Sequence, residues 1–136
     1  MSLLNNPDFR VGSDKLIAAR ADRIAKEKQR EMELPLIRTE GEAALRRLLP
    51  IAQSDTGQSS IVARFLLNLY NGQRFPFDLR YLRGLDYEPF DDCIAVLKMD
   101  SQPLNEIHEY FTNGATIFEE MARAWDFSDH AELNCR

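Results

Sequence analysis

Apolar residues recur every three or four positions along most of the chain, and short polar runs separate the apolar segments. This spacing is typical of amphipathic helices. No segment alternates apolar and polar residues with the β-branched and aromatic enrichment of a half-buried strand. The pattern therefore predicts an all-α protein of six or seven short helices in an orthogonal or bundle-like array, together with a longer charged N-terminal helix.

The first half of the chain predicts two separate helices. A helix over residues 13–33 is followed by Pro35, which lies just beyond its expected end. Thr39 and Glu42 then have the spacing of a Thr-x-x-Glu capping box. Pro50 should kink or stop the helix that this box begins, because a proline inside a helix lacks the N–H donor and clashes with the preceding turn.

The predicted N-terminal helix has a thin apolar stripe that is rich in alanine: Leu16, Ile17, Ala21, Ile24 and Ala25. Its charged residues alternate in sign, and a pair such as Asp22 with Lys26 stabilises a helix by only about 0.3 kcal/mol. The helix therefore needs a partner surface, either the core of this chain or a second copy in a homodimer. We divide the chain into a flexible N-terminus (1–12), this helix, a helical core domain (39–126) and a C-terminal tail (127–136).

Four later segments supply the predicted core. Residues 58–70 are apolar around most of the helix circumference, and Ser54, Asp55 or Thr56 can cap them. The next predicted helix has a cap at Asp86, and its inward residues are Phe90, Cys93, Ile94 and Leu97. Another starts at Ser101 or Gln102 with Pro103 in its first turn, and its inward residues are Leu104, Ile107, His108 and Phe111. The inward residues of the last predicted helix are Ile117, Phe118, Met121, Ala122 and Trp125.

Composition and charge narrow the class of protein. The 136 residues suit one domain with its own core, and 44% of them are hydrophobic. Two cysteines and no apolar run near the roughly 20 residues of a membrane span predict a soluble, cytoplasmic protein without a disulfide scaffold. Residues 1–50 carry ten Lys and Arg against eight Asp and Glu, whereas residues 86–136 carry three against twelve. The acidic last third favours a partner with a basic surface.

Three arginines lie among aromatic residues in "NLYNGQRFPFDLRYLRGLD", residues 68–86. Arg74, Arg80 and Arg83 form a candidate basic surface, since aromatics interleaved with arginines can stack bases and contact phosphates. The competing interpretation is a structural corner that buries Phe75 and Phe77 and leaves the arginines solvated. We favour the corner because a nucleic-acid groove needs a wider positive field than this segment provides.

A second candidate site is the polar stripe on the central helix. Ser60, Arg64 and Asn68 recur every four residues on an otherwise apolar element. Buried polar groups require partners, so we expect Arg64 to contact an acidic residue or to reach the surface.

Other candidate chemistry is weaker. We interpret His108 as a core-edge histidine with a satisfied ring nitrogen, Cys93 as a small buried hydrophobe, and His130 as a tail residue. The loop "SDTGQSS" lacks the phosphate-binding glycine and lysine pattern, so we assign its hydroxyls to helix capping. The segment "ATIFEEMARAW" has the spacing of a groove-binding helix, but we assign it to the core, with Trp125 as its seal. No catalytic, cofactor-binding or metal site is predicted.

Residues 62–100 contain the blocks "LYNG-x-x-FPFDL", "LRGLD" and "FDDC", and the segment "IHEYFTNGATIFEEMARAW" follows at residues 107–125. Over about residues 57–126 the chain resembles a family of small, uncharacterised, all-α bacterial proteins associated with plasmids and integrative elements. The resemblance implies a cytoplasmic accessory protein of unknown activity and supplies no catalytic residue.

Three functional hypotheses follow. The first is a non-enzymatic interaction or accessory protein whose acidic last third binds a basic protein surface, and the resemblance implies that it belongs to a mobile element. The second is nucleic-acid binding through the N-terminal helix with Arg74, Arg80 and Arg83. The third, an enzyme, requires Arg64, Asn68, Cys93 or His108 to converge in one pocket. No membrane or cofactor partner is expected.

Overall fold

The computed structural model describes residues 7–125 and 127, with side chains from residue 12 onward, and it contains no strand in that part of the chain. The all-α prediction is confirmed. The α-helices are α1 (Pro7–Ala52), α2 (Gly57–Tyr70), α3 (Tyr87–Asp100) and α4 (Gly114–Ala124). Two 3₁₀ helices lie at Leu79–Gly84 and Ile107–Tyr110. The described residues thus form fewer α-helices than the six or seven predicted.

The count is lower mainly because α1 is continuous through both prolines. The predicted end near residue 33 and the new start at Thr39 are wrong, because one helix runs from Pro7 to Ala52. Glu42 pairs with Arg46 at 3.2 Å instead of capping a helix. A proline inside a helix costs about 3 kcal/mol. The segment after Pro35 offsets this cost by burying its apolar side chains, namely Ala44, Leu45, Leu48, Leu49 and Ala52.

The chain divides into two units, Met1–Leu36 and Ile37–Arg136. The described part of the first unit is the N-terminal portion of α1. Its larger apolar side chains are exposed: Leu16, Ile17, Ile24, Met32 and Leu36. The expected ion pair between Asp22 and Lys26 is present at 3.0 Å. The predicted charged N-terminal helix is therefore real, although it is part of a longer element.

The second unit contains the hydrophobic core. Its central helix α2 begins at Gly57, and Thr56, one of the three predicted caps, is its N-cap. Thr56 and Ser59 form a reciprocal capping box, with Ser59 N–H donating to Thr56 Oγ1 at 3.2 Å. The buried apolar residues of α2 are Val62, Ala63, Phe65, Leu66 and Leu67. On α4, Phe118, Met121 and Ala122 are buried, while Ile117 and Trp125 are half-buried against the core. Both helices bury the faces that their sequences indicate.

Helix α3 is rotated relative to the prediction. Of the predicted inner face, Cys93 is buried and Leu97 packs against the core, whereas Phe90 is 36% exposed. The other buried residues are Val96 and Met99. A Cβ atom added to Gly41 would overlap the Met99 Cβ. The missing side chain at Gly41 therefore lets Met99 reach α1, and this contact determines which side of α3 faces inward.

The helix predicted after Ser101 is also wrong. Residues 101–106 form turns, and Leu104 is 68% exposed. Only Ile107–Tyr110 is helical, as a single 3₁₀ turn whose Ile107 is buried. A Cβ atom at Gly114 would overlap the His108 carbonyl oxygen. The close approach of α4 to this 3₁₀ helix therefore depends on Gly114, and the 3₁₀ helix packs into the core through Ile107.

We expect Gly41→Ala to destabilise the second unit by about 1–3 kcal/mol, because the new methyl group must displace Met99. Helix propensity alone would favour alanine by about 1 kcal/mol. Gly57→Ala is the matched control, since nothing lies within 4 Å of a Cβ atom at that position. Urea unfolding followed by the fluorescence of the single tryptophan measures both changes. A Gly41→Ala protein as stable as the parent would contradict the close contact.

Candidate functional site

The three arginines of the candidate basic surface do not form one open positive patch. Arg74 makes a bidentate pair with Glu119, at 2.6 and 3.1 Å. Arg80 pairs with Asp78 at 2.6 Å, and Arg83 is exposed. Hydrogen bonds from the side chain and the backbone N–H of Arg80 lower the pKa of Asp78 to about 2. Two of the three positive charges thus already have a carboxylate partner.

The aromatic residues beside these arginines belong to the core. Phe75 is buried, and half-buried Phe77 packs edge-to-face against Phe65 with ring centroids 5.9 Å apart. The Arg74 guanidinium lies 4.7 Å from the Phe75 ring centroid. Asp78 accepts a hydrogen bond from Arg80 N–H and caps the first 3₁₀ helix. These contacts are those of a structural corner, in which the rings pack against each other.

The polar stripe of α2 is half-buried, and its residues have separate partners. Asn68 Nδ2 donates to the Phe75 carbonyl at 2.9 Å and ties the end of α2 to the following loop. The Arg64 guanidinium lies 4.2 Å from the Phe127 ring centroid and 5.9 Å from that of Tyr81. No carboxylate pairs with Arg64 among the residues that the structure describes. Aromatic faces, which the sequence did not indicate, take that place.

The histidine and cysteine candidates have different environments. His108 is half-buried and packs edge-to-face against Tyr70, with ring centroids 5.1 Å apart. Its Nδ1 is buried and has no hydrogen-bond partner in the described part of the chain. Cys93 is fully buried. Burial is the larger cause, and the negative charge of Asp92 the smaller, of a rise in the pKa of its thiol to about 12. His130 and Cys135 lie outside the described residues.

Other features predicted from the chain have structural roles. Ser54 Oγ donates to the Pro50 carbonyl at 2.9 Å, and Thr56 caps α2, so the hydroxyls of this loop serve helix ends. No group of three or more His, Cys, Asp or Glu side chains is placed to hold a metal ion within the described ranges. None of the helices in those ranges combines the length and hydrophobicity needed to cross a bilayer.

The structure reveals a pocket that the sequence did not indicate. A cavity of about 330 Å³ lies between the end of α1, the loop after it and α4. We call it the α4 pocket. Its lining includes the apolar residues Ala52, Ile117, Met121 and Trp125. It also includes two exposed acidic residues, Asp55 and Glu120, which we call its rim.

Helix α1 and Trp125 together shape this pocket. Trp125 Nε1 donates to the Ala52 carbonyl at 2.9 Å, which holds the indole against the last turn of α1. The Asp55 and Glu120 carboxylates are exposed, and neither makes an ion pair with another described residue. An apolar surface with unpaired negative charge at its rim suits a group that is apolar and cationic at once.

The comparison with known families covers this region. A family model described as a family of unknown function, DUF7673, matches residues 42–126. The chain belongs to the DUF7673 family. The DUF7673 match begins inside α1 at residue 42, whereas the resemblance described from the sequence begins at about residue 57. The match includes every residue named in the α4 pocket. No curated protein and no solved structure matches the chain.

Cys93 should be unreactive in the folded protein. At pH 8 a thiol with a pKa near 12 is ionised in only about one molecule in ten thousand. In a Cys135→Ser variant, where Cys93 is the single thiol, we expect an aromatic disulfide reagent to react slowly in buffer and stoichiometrically in urea. Rapid stoichiometric reaction without denaturant would show that the thiol is accessible and would reopen the nucleophile hypothesis.

Arg64→Ala should cost about 1–2 kcal/mol of stability, because it removes the contact with the Phe127 ring and the packing of the arginine stem. Arg83→Ala is the matched control, since Arg83 is exposed and the change should remain within about 0.5 kcal/mol. Urea unfolding of both variants provides the comparison. Equal stability of the two variants would mean that the ring contact with Arg64 contributes nothing measurable.

Proposed function

We propose that this protein is a non-enzymatic interaction protein that binds a basic protein partner through the α4 pocket. An apolar side chain of the partner enters the pocket, and neighbouring Lys or Arg residues contact Asp55 and Glu120. The observation that carries the proposal is the combination of apolar walls with two unpaired carboxylates at the rim.

The size and the charge of the region support this partner. A volume of about 330 Å³ is at the lower end of ligand pockets, which suits a protein side chain better than a large cofactor. Residues 86–136 carry twelve Asp and Glu against three Lys and Arg, so the field around α4 attracts cations. Rim charges of this kind act mainly on association and specificity, while the apolar anchor contributes most of the affinity.

The alternatives have less support. Nucleic-acid binding through Arg74, Arg80 and Arg83 would have to displace Glu119 and Asp78 from two of these arginines. An enzyme built on Arg64, Asn68, Cys93 or His108 would use a thiol with a pKa near 12, and the other candidates include an arginine and an asparagine that already have partners.

The resemblance in sequence adds a cellular location and a genetic context to the proposal. We include the expectation that the protein is a cytoplasmic accessory protein of a bacterial plasmid or integrative element. The genes beside its coding sequence test this part, because chromosomal housekeeping neighbours in most genomes that carry it would contradict a mobile-element role.

The central test uses a helical probe peptide in which leucines recur every three or four residues and lysines occupy neighbouring positions. We expect it to change the fluorescence of Trp125, which lines the pocket, and to bind about tenfold more weakly when salt rises from about 50 to 300 mM. A peptide of the same pattern with glutamate in place of lysine, and one with serine in place of leucine, should not bind.

Glu120→Lys tests the assignment of the rim, and we expect it to weaken binding of the leucine and lysine peptide about tenfold. Glu88→Lys is the matched control, because it makes the same charge change at an exposed site outside the pocket. If the affinity for the leucine and lysine peptide changes neither with salt nor with Glu120→Lys, the proposal is contradicted. Retention of duplex DNA or RNA in a low-salt filter assay would favour the nucleic-acid alternative instead.

A further inference from the structure

Helix α3 presents an apolar stripe to solvent. Tyr87 is 88% exposed, Phe90 is 36% exposed and Ile94 is half-buried. Residues at positions i, i+3 and i+7 lie on one side of a helix, so these three side chains form a continuous row, which we call the α3 stripe. Phe90 and Ile94 belong to the face that the sequence predicts to be inward. The contact of Met99 with Gly41 turns that face away from the core.

A groove borders the α3 stripe in the middle of the helix. It has a volume of about 260 Å³ and is lined by Ile37, Glu40, Asp91, Ile94, Ala95 and Lys98. At its centre Ala95 has only a methyl group, which allows another backbone to approach closely. Asp91 and Lys98 lie on either side of Ile94 and Ala95, both are exposed, and neither has an ion-pair partner among the described residues.

The arrangement of these charges is complementary to itself. Asp91 precedes the midpoint between Ile94 and Ala95 by three and a half positions, and Lys98 follows it by the same interval. If a second copy of α3 lies antiparallel about a twofold axis at that midpoint, each Asp91 faces the Lys98 of the other copy. A twofold interface uses one patch on both subunits, so this pairing occurs twice, with the two Ile94 side chains and the small Ala95 side chains between them.

We propose that the α3 stripe and its groove form the interface of a symmetric homodimer. The occupant is a second copy of this chain, because Asp91 and Lys98 carry opposite charges at matching distances from the centre of α3, while Glu40 on α1 also lines the groove. A partner of a single charge sign would face one unfavourable charge on this surface. One helix face and a groove of this size bury little area compared with an obligate dimer, so the dimer should be weak and reversible.

This inference is independent of the proposed function. The α3 stripe and its groove share no lining residue with the α4 pocket. It also differs from a dimer formed through the exposed apolar side chains of the N-terminal part of α1. Variants of α3 distinguish the two interfaces, because those apolar side chains are unchanged in them.

Sedimentation equilibrium of the full chain, over about 1–200 μM, should show a mass that rises from monomer toward dimer. Asp91→Lys places two like-charged pairs in the interface, and Lys98→Asp does the same with the opposite sign. We expect each single variant to weaken association at least tenfold. The double variant restores opposite charges in reversed order, so its association should return to within about threefold of the parent.

Two further variants address the apolar centre and nonspecific charge. Ile94→Asp should remain monomeric over the whole range, with the helical circular dichroism of the parent. Glu120→Lys changes the net charge as much as Asp91→Lys does, but it should leave association unchanged because Glu120 lies in the α4 pocket. Conversely, Ile94→Asp should still bind the leucine and lysine peptide, so failure of either proposal can be recognised separately.

Cross-linking gives an independent readout. In the Cys135→Ser background, Ile94→Cys places a thiol close to the twofold axis and should form a covalent dimer on mild oxidation. Gln73→Cys, at an exposed site outside the α3 stripe, should not. A monomer at all concentrations would overturn the proposal. So would a dimer that persists in every α3 variant, or a double charge reversal that associates as poorly as the single variants.

Discussion

The close contact between Gly41 and Met99 is the constraint on which the arrangement of the second unit depends. Because Gly41 has no side chain, Met99 packs against α1, and Val96 and Cys93 then face the core one turn after another. A bidentate pair between Arg47 and Asp92, at 2.8 and 3.1 Å, holds the flank of the same helix. The opposite side of α3, with Tyr87 and Phe90, is consequently left in solvent.

The arginines of the second unit mostly act within the protein. Arg38 and Arg46 donate to the carbonyls of Gln102 and Tyr110, which have no helical partner of their own. Arg74 pairs with Glu119, and Arg64 lies over the Phe127 ring. The charged residues that line the α4 pocket, Asp55 and Glu120, are both acidic. This combination of apolar lining and acidic side chains is the reason for proposing a basic partner.

The predictions succeeded where one local signal acted without competition. A cap for α2 was predicted among Ser54, Asp55 and Thr56, and Thr56 provides it. The inward faces of α2 and α4 follow from strongly apolar helical spacing, and both are present. The break at Pro35 failed because burial further along α1 outweighs a local penalty. The inner face of α3 was predicted only in part: Cys93 and Leu97 face the core, but Phe90 does not. Phe90 and Met99 are both apolar at helical spacing, and only the neighbour at Gly41 decides between them. The α4 pocket could not be predicted, since Asp55 and Glu120 are distant in sequence and line one cavity only in the folded chain.

The sequence by itself determined the all-α class, the capping of α2, the apolar faces of α2 and α4 and the acidic character of the last third, because each depends on residue types and spacing within one segment. Tertiary structure alone decided the continuity of α1, the rotation of α3, the partners of each arginine and the existence of the α4 pocket. These depend on which segments come within a few ångströms of each other. Such distances depend on packing between segments, and a single side chain absent at Gly41 is enough to change them.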